Sequence, residues 1–208
     1  MKTLLSIALS LTISFAIGQN AKYQKAMKEA IATLETDQAT ALNKFERIAS
    51  AEAGQWLPAY FAAYGYTQSS LQTEGGDRKD ALLDKAQEWL DKAQIIQGEH
   101  SEIYALQAYI YLARIVASAA RGMTYTGKVK REVKKAQELN AMNPRAELVM
   151  GMLVNGMPAF IGGGKDNACP IFSAAYQKYE NFTPENDLSP TWGKKMNEGY
   201  IGYCGGSN

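Results

Sequence analysis

Apolar residues recur at spacings of three and four along almost the whole chain after residue 20, and this periodicity constrains the fold most. For example, Ala41, Phe45 and Ile48 fall on one face of a helix. The segments with this periodicity are 21–36, 38–53, 56–71, 78–97, 101–120, 128–140, 145–157 and 165–180. Glycine, proline and asparagine separate the segments, and no run alternates with period two. The sequence therefore predicts an all-α protein built from antiparallel helix pairs.

A pattern of small and large residues repeats along these helices. Small residues let two helices approach closely, and large residues fill the grooves between them. One copy of the pattern comprises Ala86, Leu90 and Ala93, followed by Tyr104, Gln107, Ala108 and Tyr111. Parts of it recur at Ala168, Phe172 and Ala175, at Ala41, Phe45 and Ile48, and at Glu147, Met150, Gly151 and Val154.

This pattern resembles the tetratricopeptide repeat, a helix-turn-helix unit of about 34 residues. Further matching residues in the third helix are Trp56, Pro58, Tyr60 and Ala63. The resemblance covers roughly residues 22–180 and implies a tetratricopeptide-like α-solenoid of about three to four helix pairs. We expect residues 19–182 to form this domain and residues 183–208 to form a C-terminal capping segment and tail. Trp192 is expected to pack as a plug on the last pair.

The C-terminal part also resembles exported helical-repeat proteins of the Bacteroidetes type. The matching features are a Gly-Gly-Gly-Lys turn at 162–165, a last helix pair and a Pro-x-Trp-Gly segment at 190–193. A more distant similarity is to the periplasmic tetratricopeptide component associated with TRAP transporters. It depends on Pro158, Gly163, Gly164, Ala168, Phe172 and Ala175. That resemblance implies ligand handling or docking to a solute-binding partner.

The first 18 residues have the layout of a secretory signal peptide. Lys2 precedes an apolar stretch at 4–17, and small residues at 16 and 18 predict cleavage before Gln19. We therefore expect a periplasmic or secreted protein, with no transmembrane segment after signal removal. Loss of Lys2 takes the formal net charge from +1 to zero. A neutral chain without a basic block argues against nucleic acid as a partner.

Two cysteines, Cys169 and Cys204, are present. In an oxidising compartment the pair can persist as a disulfide, which would join the C-terminal tail to the last strong helix. The alternative is two buried or free thiols. Both remain open, because the sequence gives no Cα separation.

The turn at 162–165 raises the question of phosphate binding. A P-loop requires a preceding strand and a Ser or Thr after its lysine, whereas Asp166 follows Lys165 here. We interpret the glycines as a tight turn between two packed helices. Because the start of a helix has free N–H groups, Gly163, Gly164 and Lys165 are a candidate anion-binding site.

The sequence contains no recognisable catalytic or metal-binding set. His100, the only histidine, lies at a predicted turn and is interpreted as a solvated residue or helix cap. One histidine without a Cys/His cluster gives no zinc site, and no triad accompanies it. Paired carboxylates such as Asp84 and Glu88 are typical of exposed helix faces. We therefore expect a protein that is not an enzyme and needs no cofactor or metal.

Aromatic residues give the best indication of function. Some belong in the core, and the others are expected on a concave groove, where Tyr and Trp offer an apolar face and one polar group. The candidate groove residues are Tyr60, Tyr64, Tyr104 and Arg114. The sequence thus predicts a non-catalytic exported protein that binds a protein segment or small ligand. The alternative is an accessory of a transport or secretion system that docks to a membrane-associated partner and handles its solute.

Overall fold

The computed structural model describes residues 20–206, so the predicted signal peptide and its cleavage site lie outside the described residues. Within this range the regular structure is helical and no strand forms, which confirms the all-α prediction. The helices are α1 (residues 20–33), α2 (Gln38–Ala51), α3 (Trp56–Gln72), α4 (Gly76–Gln97), α5 (Ser101–Ala117), α6 (Gly122–Leu139), α7 (Pro144–Gly156), α8 (Lys165–Asn181) and α9 (Lys194–Gly205). Two short 3-10 turns lie at Ala119–Arg121 and Ala159–Ile161.

Consecutive helices pack as pairs. Helix α3 packs against α4, α5 against α6, and α7 against α8, while α2–α3, α4–α5 and α6–α7 contacts join each pair to the next. The connections are short, so neighbouring helices run antiparallel. Helix α9 packs against α8 at the end of this series. None of the described helices combines the length and apolarity that crossing a bilayer requires.

The repeated small and large residues form the core between the helices. Ala86, Leu90 and Ala93 of α4 have no exposed surface, and neither does Phe172 of α8. A Cβ atom added at Gly151 would lie 2.7 Å from the Phe172 ring. Helices α7 and α8 therefore approach more closely here than an alanine would allow.

Polar side chains cap the N-termini of several helices. Asp37 caps α2, because its Oδ1 accepts a hydrogen bond from the Thr40 amide at 3.0 Å. Asn143 caps α7 and is followed by Pro144 in the first helical position. The Nδ1 atom of His100 accepts from the Glu102 amide at 3.2 Å, so the histidine caps α5.

The structure differs from the sequence prediction at α6 and α9. Helix α6 starts at Gly122 rather than at residue 128, and α9 lies in the expected C-terminal capping segment and tail, for which no helix was predicted. Glycines at 199, 202 and 205 lower the intrinsic helix propensity of α9. Contacts with α8 compensate for them: Tyr200 stacks on Phe172 at 4.1 Å between ring centroids.

Candidate functional site

A cavity of about 760 Å³ is lined by α1, α3 and the start of α9, and we call it the α3–α9 cavity. Its apolar lining residues are Ile31, Leu34, Phe61, Tyr64, Trp192 and Met196. Polar lining residues include Glu35, Gln38, Gln68, Gln72, Lys194, Lys195 and Glu198. A neighbouring cavity of about 450 Å³, lined by Asn155, Met196, Gly199, Tyr200 and Tyr203, shares Met196 with it. The two cavities give α9 an aromatic and apolar face.

A larger depression of about 1050 Å³ lies between α1 and α2. Its lining is mostly charged or small, and Tyr23 is its only aromatic residue. The α3–α9 cavity is therefore the better candidate for a ligand with a flat apolar surface, despite its smaller volume.

Three aromatic rings stack beside the α3–α9 cavity, and we call them the ring stack. Trp192 stacks on Tyr64 of α3 and on Tyr109 of α5, at centroid distances of 5.0 and 5.4 Å. The interplanar angles are 22° and 19°, so the three rings are close to parallel. Tyr64 and Trp192 line the cavity, whereas Tyr109 is buried behind them.

Gln68 fixes the two tyrosines of the ring stack relative to each other. Its Nε2 donates to Tyr64 Oη at 2.8 Å, and its Oε1 accepts from Tyr109 Oη at 3.0 Å. Burial, which disfavours the phenolate, raises the pKa of Tyr64 to about 12. Tyr64 therefore presents a neutral phenol ring to the cavity at physiological pH.

Two hydrogen bonds hold Trp192 in the ring stack. Its Nε1 donates to Tyr60 Oη at 2.8 Å, and its carbonyl oxygen accepts from Tyr179 Oη at 3.2 Å. Gly193 follows with a φ of +100°, and a side chain there would overlap the Tyr179 hydroxyl. The chain therefore turns sharply after Trp192 and enters α9 along the cavity wall.

A buried ion pair lies below the ring stack. Arg145 is fully buried and Glu102 is 6% exposed. Arg145 Nε donates to Glu102 Oε2 at 2.6 Å, and Nη2 donates to Oε1. Burial acts to lower the pKa of Arg145, but the attraction and hydrogen bonds of Glu102 outweigh it and raise that pKa. The Arg145 guanidinium also faces the rings of Phe182 and Trp192.

The structure separates the four predicted groove residues. Tyr64 lines the α3–α9 cavity, but Tyr60 is completely buried beneath the ring stack. Tyr104 contacts Glu99 and Lys135, and Arg114 pairs with Asp84 at 2.8 Å. Helical geometry explains the positions of Tyr104 and Arg114. Each of these two residues lies five positions from Tyr109, so its side chain is rotated about 140° away from Tyr109 around α5.

The triple-glycine turn uses its amide groups within the fold. Gly163 N donates to Pro158 O at 3.1 Å and Gly164 N donates to Val154 O at 2.9 Å. Lys165 Nζ donates to Gly206 O at 2.9 Å and lies over the Tyr203 ring. The glycines thus form a turn between α7 and α8, and the groups expected to bind an anion already have partners.

The two cysteines meet where α8 and α9 pack together. Cys169 and Cys204 are joined by a disulfide, with their Cα atoms 5.7 Å apart. The link fixes the C-terminal half of α9, the helix that carries Met196 and Tyr200 to the cavities.

Trp192 contacts the last helix pair, as expected, through Tyr179 of α8 and Arg145 of α7. Sequence reasoning missed that it also reaches α3 and α5 and bonds to Tyr60, which is 132 residues away in the sequence. The Trp-Gly step is the one local signal, because glycine is required where the chain turns into α9.

Together, the fold and the cavity define an all-helical protein with a ligand-sized cavity walled by aromatic and apolar side chains. Among residues 20–206 no group of three or more His, Cys, Asp or Glu side chains is placed to hold a metal ion. His100 lines a separate cavity beside Glu102 and Trp56.

Comparison with solved structures finds the HusA haemophore from Porphyromonas gingivalis. It is 30% identical to this chain with a TM-score of 0.78, and the match covers 88% of this chain and 92% of HusA. The chain belongs to the same protein family as this haemophore. No protein-family model matches the chain, so the resemblance to tetratricopeptide repeats stays a prediction. A search of curated proteins also finds no match.

Proposed function

We propose that this chain is an exported, non-catalytic protein that binds haem or a related porphyrin in the α3–α9 cavity. The observation that carries the proposal is the ring stack, whose Tyr64 and Trp192 line that cavity. A flat aromatic ligand that lies against Tyr64 would extend the stack by one ring. The relationship to a haemophore supports a porphyrin as this ligand.

The size of the cavity suits a ligand of this class. Its volume of about 760 Å³ falls within the range of about 300–1,000 Å³ that is typical of small-molecule sites. The neighbouring cavity, which shares Met196, adds about 450 Å³ along α9. A tetrapyrrole could therefore lie across both cavities with its ring plane against apolar side chains.

The edge of the cavity carries two cations and two anions, and the two cations suit the carboxylates of a porphyrin. Lys194 and Lys195 lie at the start of α9 and line the cavity. Lys194 pairs with Glu180 at 2.9 Å, whereas Lys195 forms no ion pair within residues 20–206. We assign Lys195 as the cation that faces a propionate group of the ligand.

The available side chains favour recognition of the porphyrin ring rather than of its iron. His100 lies outside the α3–α9 cavity, and both cysteines are in a disulfide. The raised pKa of Tyr64 disfavours the phenolate that would bind ferric iron. We therefore expect haemin and iron-free protoporphyrin to bind with affinities within about tenfold of each other.

A titration monitored in the Soret band tests the proposal. The mature chain should shift the Soret band of haemin and of protoporphyrin at one equivalent. Met196→Glu should weaken both affinities by at least about tenfold, because it puts a charge into the apolar wall. Met142→Glu is the matched control, since Met142 is half-exposed in the α6–α7 connection and lines neither cavity. An unchanged Soret band, or equal losses in the two variants, would refute the proposal.

The alternative of a transport or secretion accessory remains a prediction. It requires a partner-binding surface, whereas the features described above converge on a small-molecule cavity.

A further inference from the structure

Trp192 is the only member of the ring stack that comes from the C-terminal segment. Its position therefore decides whether the stack forms beside the α3–α9 cavity, where Gln68 also holds Tyr64. Trp192 stacks on both Tyr64 and Tyr109, and these contacts act on the faces of the indole rather than on its edge. The edge of the indole is held by the hydrogen bond that its N–H donates.

That hydrogen bond is the first in a buried series of hydrogen bonds. Trp192 Nε1 donates to Tyr60 Oη at 2.8 Å, and Tyr60 Oη donates to Glu102 Oε2 at 3.2 Å. The indole can only donate, and Glu102 already accepts from Arg145 and Asn143. These constraints determine which group donates and which accepts in each hydrogen bond of the series.

The residues of this hydrogen-bond series are also buried. Tyr60 and Arg145 have no exposed surface, and Glu102 and Trp192 are less than one-tenth exposed. Burial and the nearby negative charge of Glu102 raise the pKa of Tyr60, which keeps its hydroxyl protonated and able to donate. Burial of this extent strengthens these hydrogen bonds relative to exposed ones.

We propose that Tyr60 and Glu102 are positioning residues for ligand binding, which hold the indole edge of Trp192 and through it the surface that Trp192 forms with Tyr64. This inference rests on the proposed function, because it concerns the ligand of the α3–α9 cavity. Neither residue touches the ligand. Both set the shape of the surface on which the ligand lies.

Tyr60→Phe is the variant that tests this inference. It removes one hydroxyl and leaves the ring, so the fold is kept, whereas loss of Glu102 would leave Arg145 buried without its partner. We expect the porphyrin affinity to fall about tenfold. We also expect the circular dichroism of the bound porphyrin in the Soret band to change, because this signal depends on the orientation of nearby aromatic rings.

Tyr66→Phe is a matched control on the same helix. Tyr66 Oη donates to Glu46 at 2.6 Å, so this variant also loses one Tyr–Glu hydrogen bond, but Tyr66 does not line the cavity. It should leave the porphyrin affinity and the Soret circular dichroism unchanged. Trp192→Phe removes a cavity-lining indole as well as this hydrogen bond, so it should weaken binding at least as much as Tyr60→Phe. In the double variant Tyr60→Phe should add little further loss, because its hydrogen-bond partner is already gone.

The possible outcomes separate the two proposals. If the unmodified chain binds no porphyrin, the proposed function fails, and the positioning role fails with it. If the unmodified chain binds but Tyr60→Phe matches Tyr66→Phe in affinity and Soret circular dichroism, the positioning role is refuted and the proposed function stands. A change in both readouts that is specific to Tyr60→Phe and Trp192→Phe supports the positioning role.

Discussion

Replacing Arg145 by alanine is expected to lower the free energy of unfolding by about 3–5 kcal/mol. The substitution leaves the Glu102 carboxylate buried without its cationic partner, and it removes the guanidinium that faces Phe182 and Trp192. Urea denaturation followed by circular dichroism at 222 nm measures the change. The effect is large because the uncompensated charge is almost completely buried.

Lys28→Ala provides the control for this prediction. Lys28 pairs with Asp187 at 2.7 Å, but both side chains are more than half exposed. Water and salt screen such a pair, so its loss should leave the free energy of unfolding almost unchanged. If Arg145→Ala were no more destabilising than Lys28→Ala, the assignment of the Arg145–Glu102 pair as a buried structural element would be wrong.

The second large effect concerns the disulfide. Replacing Cys169 and Cys204 together by serine should lower the free energy of unfolding by about 4 kcal/mol, because the bridge closes a loop across 35 positions of sequence. Chemical denaturation with and without dithiothreitol measures the loss. The unmodified chain should be destabilised by the reductant to the same extent, and the double variant should not respond to it. A reductant effect on the double variant, or none on the unmodified chain, would contradict this account.

Local patterns were sufficient to predict much of the fold. The periodicity of apolar residues predicted the helices, and the buried Ala86, Leu90 and Ala93 show that the small residues lie where helices pack closely. Helix α9 was missed because its glycines weaken the local signal. Its formation depends on Phe172 and Cys169 of α8, which the sequence alone does not place beside it.

The candidate site was less predictable than the fold. Tyr64 was identified from its residue type and helix, but Tyr104 and Arg114 face away because the rotation of α5 was not known. Trp192 and the Arg145–Glu102 pair could not be found from local patterns, since their partners are tens of residues away. Long-range contacts of this kind depend on how complete helices pack, which a short sequence window does not contain.

The location of the ligand is the central claim, and NMR of methionine methyl groups tests it most directly. In a chain labelled with ¹³C-methyl methionine, ferric haem should broaden the signal of Met196, which lines both cavities, because the iron is paramagnetic. The signal of Met142, in the α6–α7 connection, should remain sharp. Broadening of Met142 with an unchanged Met196 signal would place the ligand elsewhere and contradict the account.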